Sequence, residues 1–254
     1  MSCDYDPNKP IGAIKKMTES TPTMELYNYY SNREIFCSID PTDKPVPYGA
    51  RDYFDRNGYM IISNICDPRE LFDNVPTQRG QYNYQGSLDK FLYFPEELQV
   101  SGSLSRYNYP KYKKIHSEIR LILEDILGEK LYNTYYYDRF YFSDQRLYRH
   151  SDRDACEISL SVQVSTNSKE FWPFCIETPS GEEKFCNIQN GWGILYKGCE
   201  REHWREPLKS RHGKIKRFLN KITKNKDDTY HHQVFFHYVK ANGERSHYAW
   251  DTPT

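Results

Sequence analysis

Between residues 109 and 130 the apolar positions recur every three or four residues. Beyond 130 they recur every two. In "YPKYKKIHSEIRLILEDILGEK" the apolar set is Tyr112, Ile115, Ile119, Ile122 and Ile126, one stripe of a helix, with Pro110 at its start and Gly128 at its end. The later runs "KLYNTYYYDRFYF", "EISLSVQVS", "EKFCNIQ", "WGILYKG" and "HHQVFFHYV" alternate, and they are rich in aromatic and β-branched residues. They read as strands. Turn signals separate them: Thr166-Asn167-Ser168, Pro179-Ser180-Gly181, Gln189-Asn190-Gly191 and Ala241-Asn242-Gly243. Many short strands with this punctuation predict a mainly β fold with flanking helices, a sandwich or double-sheet jelly roll.

Upstream, Ala50 to Asn57 reads as a helix stopped by Gly58, and Tyr59 to Ile65 as a strand. Asp67-Pro68 then opens a short helix, with Asp at the N-cap and Pro at the first helical position. Residues 1–48, rich in Pro, Asn, Asp and Ser, read as an irregular arm. Residues 75–107 read as loop over the core. The remainder, 49–254, reads as a single domain. One stretch breaks the strand pattern: "KSRHGKIKRFLNKITKNKDD", 209–228, reads as an inserted basic helix with Ile215, Phe218, Leu219 and Ile222 on one side. A solvated basic face accounts for it; a lid or phosphate-binding patch is the functional alternative.

Composition narrows the function classes. The chain has 254 residues, enough for one large β domain, and its 35 basic and 35 acidic residues cancel. That balance argues against a protein built to coat nucleic acid or an anionic membrane. Seven cysteines at 3, 37, 66, 156, 175, 186 and 199 form no CxxC pair, which suits reduced thiols in a cytoplasmic setting. The N-terminus is polar, unlike a signal peptide, and no apolar run reaches the length of a membrane span.

The candidate chemistry is the His150-x-Asp152 pair directly before "EISLSVQVS". Residues i and i+2 of a strand point the same way, so both can reach one metal. Two imidazoles and one carboxylate on one face of an iron ion leave three positions open. The third ligand must come from another strand, and His203 in "GWGILYKGCEREHWREPL" is the candidate. In Glu157–Val164 one face is aliphatic and the other carries Ser159, Ser161 and Gln163. The aliphatic face should pack outward on a covering helix or second sheet, which makes the polar face a pocket lining; a solvated sheet face is the bland alternative. On the last strand His231, His232 and His237 cannot all be ligands, and His237 suits the pocket by parity. His116, on the long helix, reads as a surface residue.

Tyr141-x-x-Asp144-x-x-Leu147-x-x-His150-x-Asp152 resembles the Y-x-x-G-x-x-L-x-x-H-x-D signature of the 2-oxoglutarate/Fe(II)-dependent dioxygenases, in their prolyl-hydroxylase-like branch. Asp144 replaces the usual glycine, which alters a turn rather than a ligand. Asn190-Gly191-Trp192-Gly193-Ile194-Leu195-Tyr196 is similar to that family's strand before the distal histidine. His203-x-x-x-Pro207 and the later Gln233–Val239 are similar to its last core strands, and "FDRNGYMIISNICDPREL" to its N-terminal helix and strand. The likeness spans roughly residues 50–250.

The resemblance implies a double-stranded β-helix core, jelly-roll or cupin-like. It implies Fe(II) held by His150, Asp152 and His203, with 2-oxoglutarate and O2 as co-substrates. It further implies hydroxylation of an aliphatic C–H, of an amino acid or peptidyl residue, with decarboxylation of 2-oxoglutarate to succinate and CO2. The family's basic residue for the distal carboxylate lies about ten residues past the distal histidine, where this chain has Gly213 in the inserted helix. Arg205, two residues from His203 and on the same side of its strand, can supply that charge, or His231 can. Tyr141 would add a hydroxyl to the co-substrate. Two other readings use the same residues: a non-catalytic cupin-like metal- or ligand-binding protein, and a zinc hydrolase.

Overall fold

The computed structural model describes residues 25–28, 33–38, 50–72, 99–213 and 227–250. Most of the expected basic helix, 214–226, and most of the expected loop, 73–98, lie outside the described residues. The elements are strands β1 (Glu25–Asn28), β2 (Arg33–Ser38), β3 (Tyr59–Ile62), β4 (Leu104–Tyr107), β5 (Leu131–Phe142), β6 (Leu147–His150), β7 (Ile158–Thr166), β8 (Phe174–Glu177), β9 (Glu183–Cys186), β10 (Gly193–Tyr196), β11 (His203–Arg205) and β12 (Tyr230–Lys240). The helices are α1 (Ala50–Asn57), α2 (Pro68–Leu71) and α3 (Lys113–Leu127). The strands form two antiparallel sheets, one of order β1-β2-β3-β10-β7-β12-β5-β4 and one of order β6-β11-β8-β9.

Local chemistry explains several boundaries. Asp67 caps α2 by accepting from the Arg69 amide at 2.9 Å, and Pro68 takes the first helical position. Gly58 ends α1 at φ +74°, and a Cβ there would lie 2.6 Å from Arg201 Cδ. Asp144, where the family signature carries glycine, has φ +67°, a left-handed position that a short polar side chain tolerates. The arm expected to be irregular contains β1 and β2, which pair with each other, and β2 also pairs with β3.

The large sheet has two faces with different tasks. Leu160, Val162 and Val164 of β7 pack with Leu195, Val234 and Phe236 against Ile115, Ile119, Ile122 and Ile126 of α3. This is the outward aliphatic face expected from the sequence. His116 lies on that side too. It is 2% exposed, its Nε2 is 3.0 Å from the His237 carbonyl, and burial drops its pKa to about 3. The surface expectation for His116 is therefore corrected: it stands four residues after Tyr112, within the apolar stripe. His232 also faces outward, with Nε2 2.9 Å from Asp138. Asp138 further accepts from the Tyr112 hydroxyl at 2.8 Å and from Arg106. Burial raises its pKa, but the Arg106 and His232 charges and bonds outweigh that and hold it well below the carboxylate range.

The inner face meets the small sheet. Tyr59, Ile61, Ile194 and Tyr196 pack there against Phe174, Ile176 and Cys186. The cross-strand pairs Ser159–Tyr196, Ser161–Phe235 and Tyr141–His231 fix which residues share this face. The cysteines whose side chains are described, at 66, 156, 175, 186 and 199, form no disulfide. Among the described residues, no helix is long and apolar enough to cross a membrane.

Candidate metal centre

His150 closes β6 and His203 opens β11, and the two are direct cross-strand partners. Antiparallel pairing thus places side by side two residues far apart in sequence, with ring centroids 4.4 Å apart. Asp152 follows the end of β6, its amide donating to the Gly198 carbonyl at 2.8 Å. The Asp152 Oδ1 atom is 3.7 Å from His150 Nε2 and 3.5 Å from His203 Nε2. One donor atom from each of the three lies within 4.8 Å of the others.

The imidazoles are oriented for coordination. His150 Nδ1 is 2.7 Å from the Tyr148 carbonyl, and His203 Nδ1 is 3.0 Å from the Arg201 carbonyl. A ring nitrogen facing a carbonyl must donate, so the neutral ring keeps its lone pair on Nε2. Gln99 Nε2 donates to His150 Nε2 at 2.7 Å, and Gln99 Oε1 accepts from Arg139 at 2.9 Å. The His203 ring stacks on Phe174 at 5.5 Å. Burial lowers the His150 pKa, and the neighbouring His203 adds to the effect. For Asp152, burial works upward, but its histidine neighbours, His203 first and then His237 and His150, prevail and bring it to about 2, so it stands as a carboxylate. A carboxylate and two imidazole nitrogens within 4.8 Å of one another can hold a divalent transition metal, with the metal taking the His150 lone pair that here accepts from Gln99.

A second set of residues gathers around Arg205, which follows His203 on β11. Arg205 is fully buried, its guanidinium carbon 4.5 Å from the Trp172 ring and 5.5 Å from that of Phe174. Its Nη1 donates to the Trp172 carbonyl, while Nε and Nη2 have no partner. Burial draws its pKa down to about 10, still well above neutrality. Trp172 meets Tyr141 edge-on at 4.9 Å and His231 at 4.9 Å. Both ring nitrogens of His231 are buried without a partner. Burial first, and then the Arg205 charge, keep His231 neutral by pulling its pKa far down. Arg205 is therefore the fixed cation of this pocket, and its two idle donors suit a carboxylate. The Tyr141 hydroxyl is 3.2 Å from Arg139 Nη1. A cavity of about 230 Å3 reaches His231, with Gln163, Lys169, Phe171 and Trp172 in its wall.

The four residues expected to line a substrate pocket are spread along the inner face. Ser159 and His237 sit behind Asp152, Ser161 accepts from Gln233 Nε2 at 3.0 Å, and Gln163 lines the cavity at the His231 end. Gln99, Arg139, Trp172 and Gly198 also belong to the site and were not singled out from the sequence. Arg139 carried a usable signal: it lies two residues before Tyr141, hence on the same face of β5.

Solved structures share this arrangement of strands. The epimerase SnoN, solved with Fe3+, alpha ketoglutarate and nogalamycin RO, superposes with a TM-score of 0.50 at 9% identity, over 76% of this chain and 82% of that one. The fold is a double-stranded β-helix. A Pseudomonas putida prolyl-4-hydroxylase matches at TM-score 0.48 and 11% identity, over 75% of this chain and 96% of its own. A Trichoplax adhaerens prolyl hydroxylase, bound to a hypoxia inducible factor peptide fragment, matches at 0.47 and 11%, over 74% and 87%. No protein-family model and no curated relative matches the sequence.

Proposed function

We propose that this protein is a 2-oxoglutarate- and Fe(II)-dependent oxygenase that hydroxylates an aliphatic C–H bond of an amino acid or peptidyl residue. The observation that carries the reading is a pairing. The His150–Asp152–His203 donor set takes His203 from β11, and two residues later the same strand presents Arg205 with two unpartnered buried donors. A metal and an acid of opposite ends suit those two features together. The zinc hydrolase gives Arg205 no task.

In this reading His150, Asp152 and His203 hold the metal, and their placement on one side keeps the other positions open. Bound iron with 2-oxoglutarate and O2 would supply the oxidising chemistry, one oxygen atom going to the C–H bond and the other to succinate as CO2 is lost. The chain's own residues bind and orient. Arg205 grips the distal carboxylate through Nε and Nη2, a two-point contact that fixes direction as well as affinity. Tyr141 adds a hydroxyl beside it. Trp172 and Phe174 wall the guanidinium from water, which strengthens the ion pair. His231, being neutral, contributes at most a hydrogen bond.

The test is an anaerobic titration of metal-free protein with Fe(II) and then 2-oxoglutarate, followed by visible absorption. A weak charge-transfer band that needs both additions, and disappears in Asp152→Ala, is the expected result. Folded protein that binds iron yet gives no such band would overturn the reading.

A further inference from the structure

We infer that Ser159, seated by His237, is a positioning residue that makes Asp152 a one-oxygen ligand. The inference rests on the metal-centre reading above and goes beyond it. Asp152 has two carboxylate oxygens, and the structure treats them differently. Oδ1 faces His150 and His203. Oδ2 lies 3.1 Å from the Ser159 hydroxyl.

The hydrogen-bond count around Ser159 is restrictive. Its single hydroxyl proton has three acceptors in reach, Asp152 Oδ2 at 3.1 Å, the Cys156 carbonyl at 3.2 Å and the Tyr196 hydroxyl oxygen. The charged carboxylate is the stronger acceptor and takes it. His237 Nδ1, 2.9 Å from the same oxygen, must then be the donor. Ser159 is 0% exposed and His237 2%, so no solvent competes. His237 is anchored in turn, since His116 Nε2 lies 3.0 Å from its carbonyl. A chain of contacts thus runs from α3 through His116, His237 and Ser159 to Oδ2.

Gly198 closes the cradle from the other side. A Cβ at Gly198 would stand 2.6 Å from Asp152 Oδ2 and 2.7 Å from Ser159 Oγ, and would overlap the Cys156 carbonyl. Only glycine lets the backbone approach this closely while its carbonyl takes the Asp152 amide. Oδ2 is therefore occupied and walled in. This matters because a carboxylate that coordinates through both oxygens would consume one of the three positions the co-substrate and O2 require. Serine and histidine behind the carboxylate keep that position open.

The test uses Co(II) as probe, added to metal-free full-length protein, with affinity and visible spectrum as readouts. Ser159→Ala should weaken Co(II) binding about 10- to 100-fold. It should also change the spectrum towards higher coordination number. Ser165→Ala, which removes another buried hydroxyl of β7 that has no partner, should leave both unchanged. Should Ser159→Ala fail to fold, His237→Leu and His237→Gln report on the same cradle, and only the leucine variant should lose affinity. Wild-type affinity and spectrum in Ser159→Ala would overturn the inference. Co(II) binding by wild type that survives His150→Ala would instead overturn the metal-centre reading, and the inference with it.

Discussion

The two ends of the site are built on opposite principles. At the metal end the candidate ligands' own polar atoms that face away from the metal position are satisfied: both Nδ1 atoms meet carbonyls and Asp152 Oδ2 meets Ser159, although His237 Nε2 behind them is buried without a partner. At the anion end Arg205 Nε and Nη2 and both nitrogens of His231 are buried without partners. An unpaired buried donor costs about 1–3 kcal/mol, more if charged. A fold tolerates such a cost where a ligand removes it. The contrast teaches that the metal end is preorganised by hydrogen bonds. The anion end is preorganised by aromatic walls, which leave the donors free for a guest.

The largest expected effect comes from breaking the preorganised end. His150→Ala or Asp152→Ala should abolish turnover while the protein stays folded. Both side chains lie at the rim of the small sheet, and neither belongs to the hydrophobic clusters of the core. Activity assays beside thermal unfolding check this. Full residual activity in both variants would mean that the trio is not the reacting centre.

A smaller, selective effect is expected at the other end. Arg205→Ala should raise the 2-oxoglutarate requirement about 30-fold or more, since truncating one partner of a buried charged pair costs about 2 kcal/mol or more. Fe(II) affinity should change little, because Arg205 touches none of the three ligands. Arg205→Lys keeps the charge but not the planar two-point contact, so it should recover only part of the loss. Equal damage to iron and co-substrate binding in Arg205→Ala would erase the distinction between the two ends.

Much of the metal end was legible because strand geometry is a two-residue rule. It puts His150 and Asp152 on one side, although β6 ends at His150 and Asp152 is held beyond the strand by its amide bond to the Gly198 carbonyl. His203 does not follow from it: the need for a third ligand from another strand, together with the family resemblance, pointed there, and its partnership with His150 is a register that no local pattern encodes. Arg205 follows from His203 by the same parity. Parity tells which face a side chain occupies but not how far along the strand it lies. Ser159, Ser161 and Gln163 do share the inner face, yet they serve three places: the back of Asp152, a bond to Gln233 and the cavity wall. Arg139 went unnoticed because a charge inside "YNTYYYDRFYF" is hard to separate from aromatic packing. His116 was misjudged by residue type, although its spacing from Tyr112 already placed it on the buried stripe.

The smallest expected effect is the sharpest on the anion end. Arg205 and His231 are both candidates for the distal carboxylate, and they stand together around Trp172. They differ in charge. Burial leaves His231 neutral, whereas Arg205 stays cationic with a pKa of about 10. His231→Leu should therefore raise the 2-oxoglutarate requirement tenfold at most, the scale of one neutral hydrogen bond at about 0.5–1.5 kcal/mol. Because it deletes two buried polar atoms that lack partners, it should hold or slightly raise the unfolding temperature. Arg205→Ala should move the co-substrate requirement far more. If His231→Leu matches Arg205→Ala in a co-substrate titration, the carboxylate sits on the imidazole, and the charge of Arg205 serves only to set that neighbour's protonation.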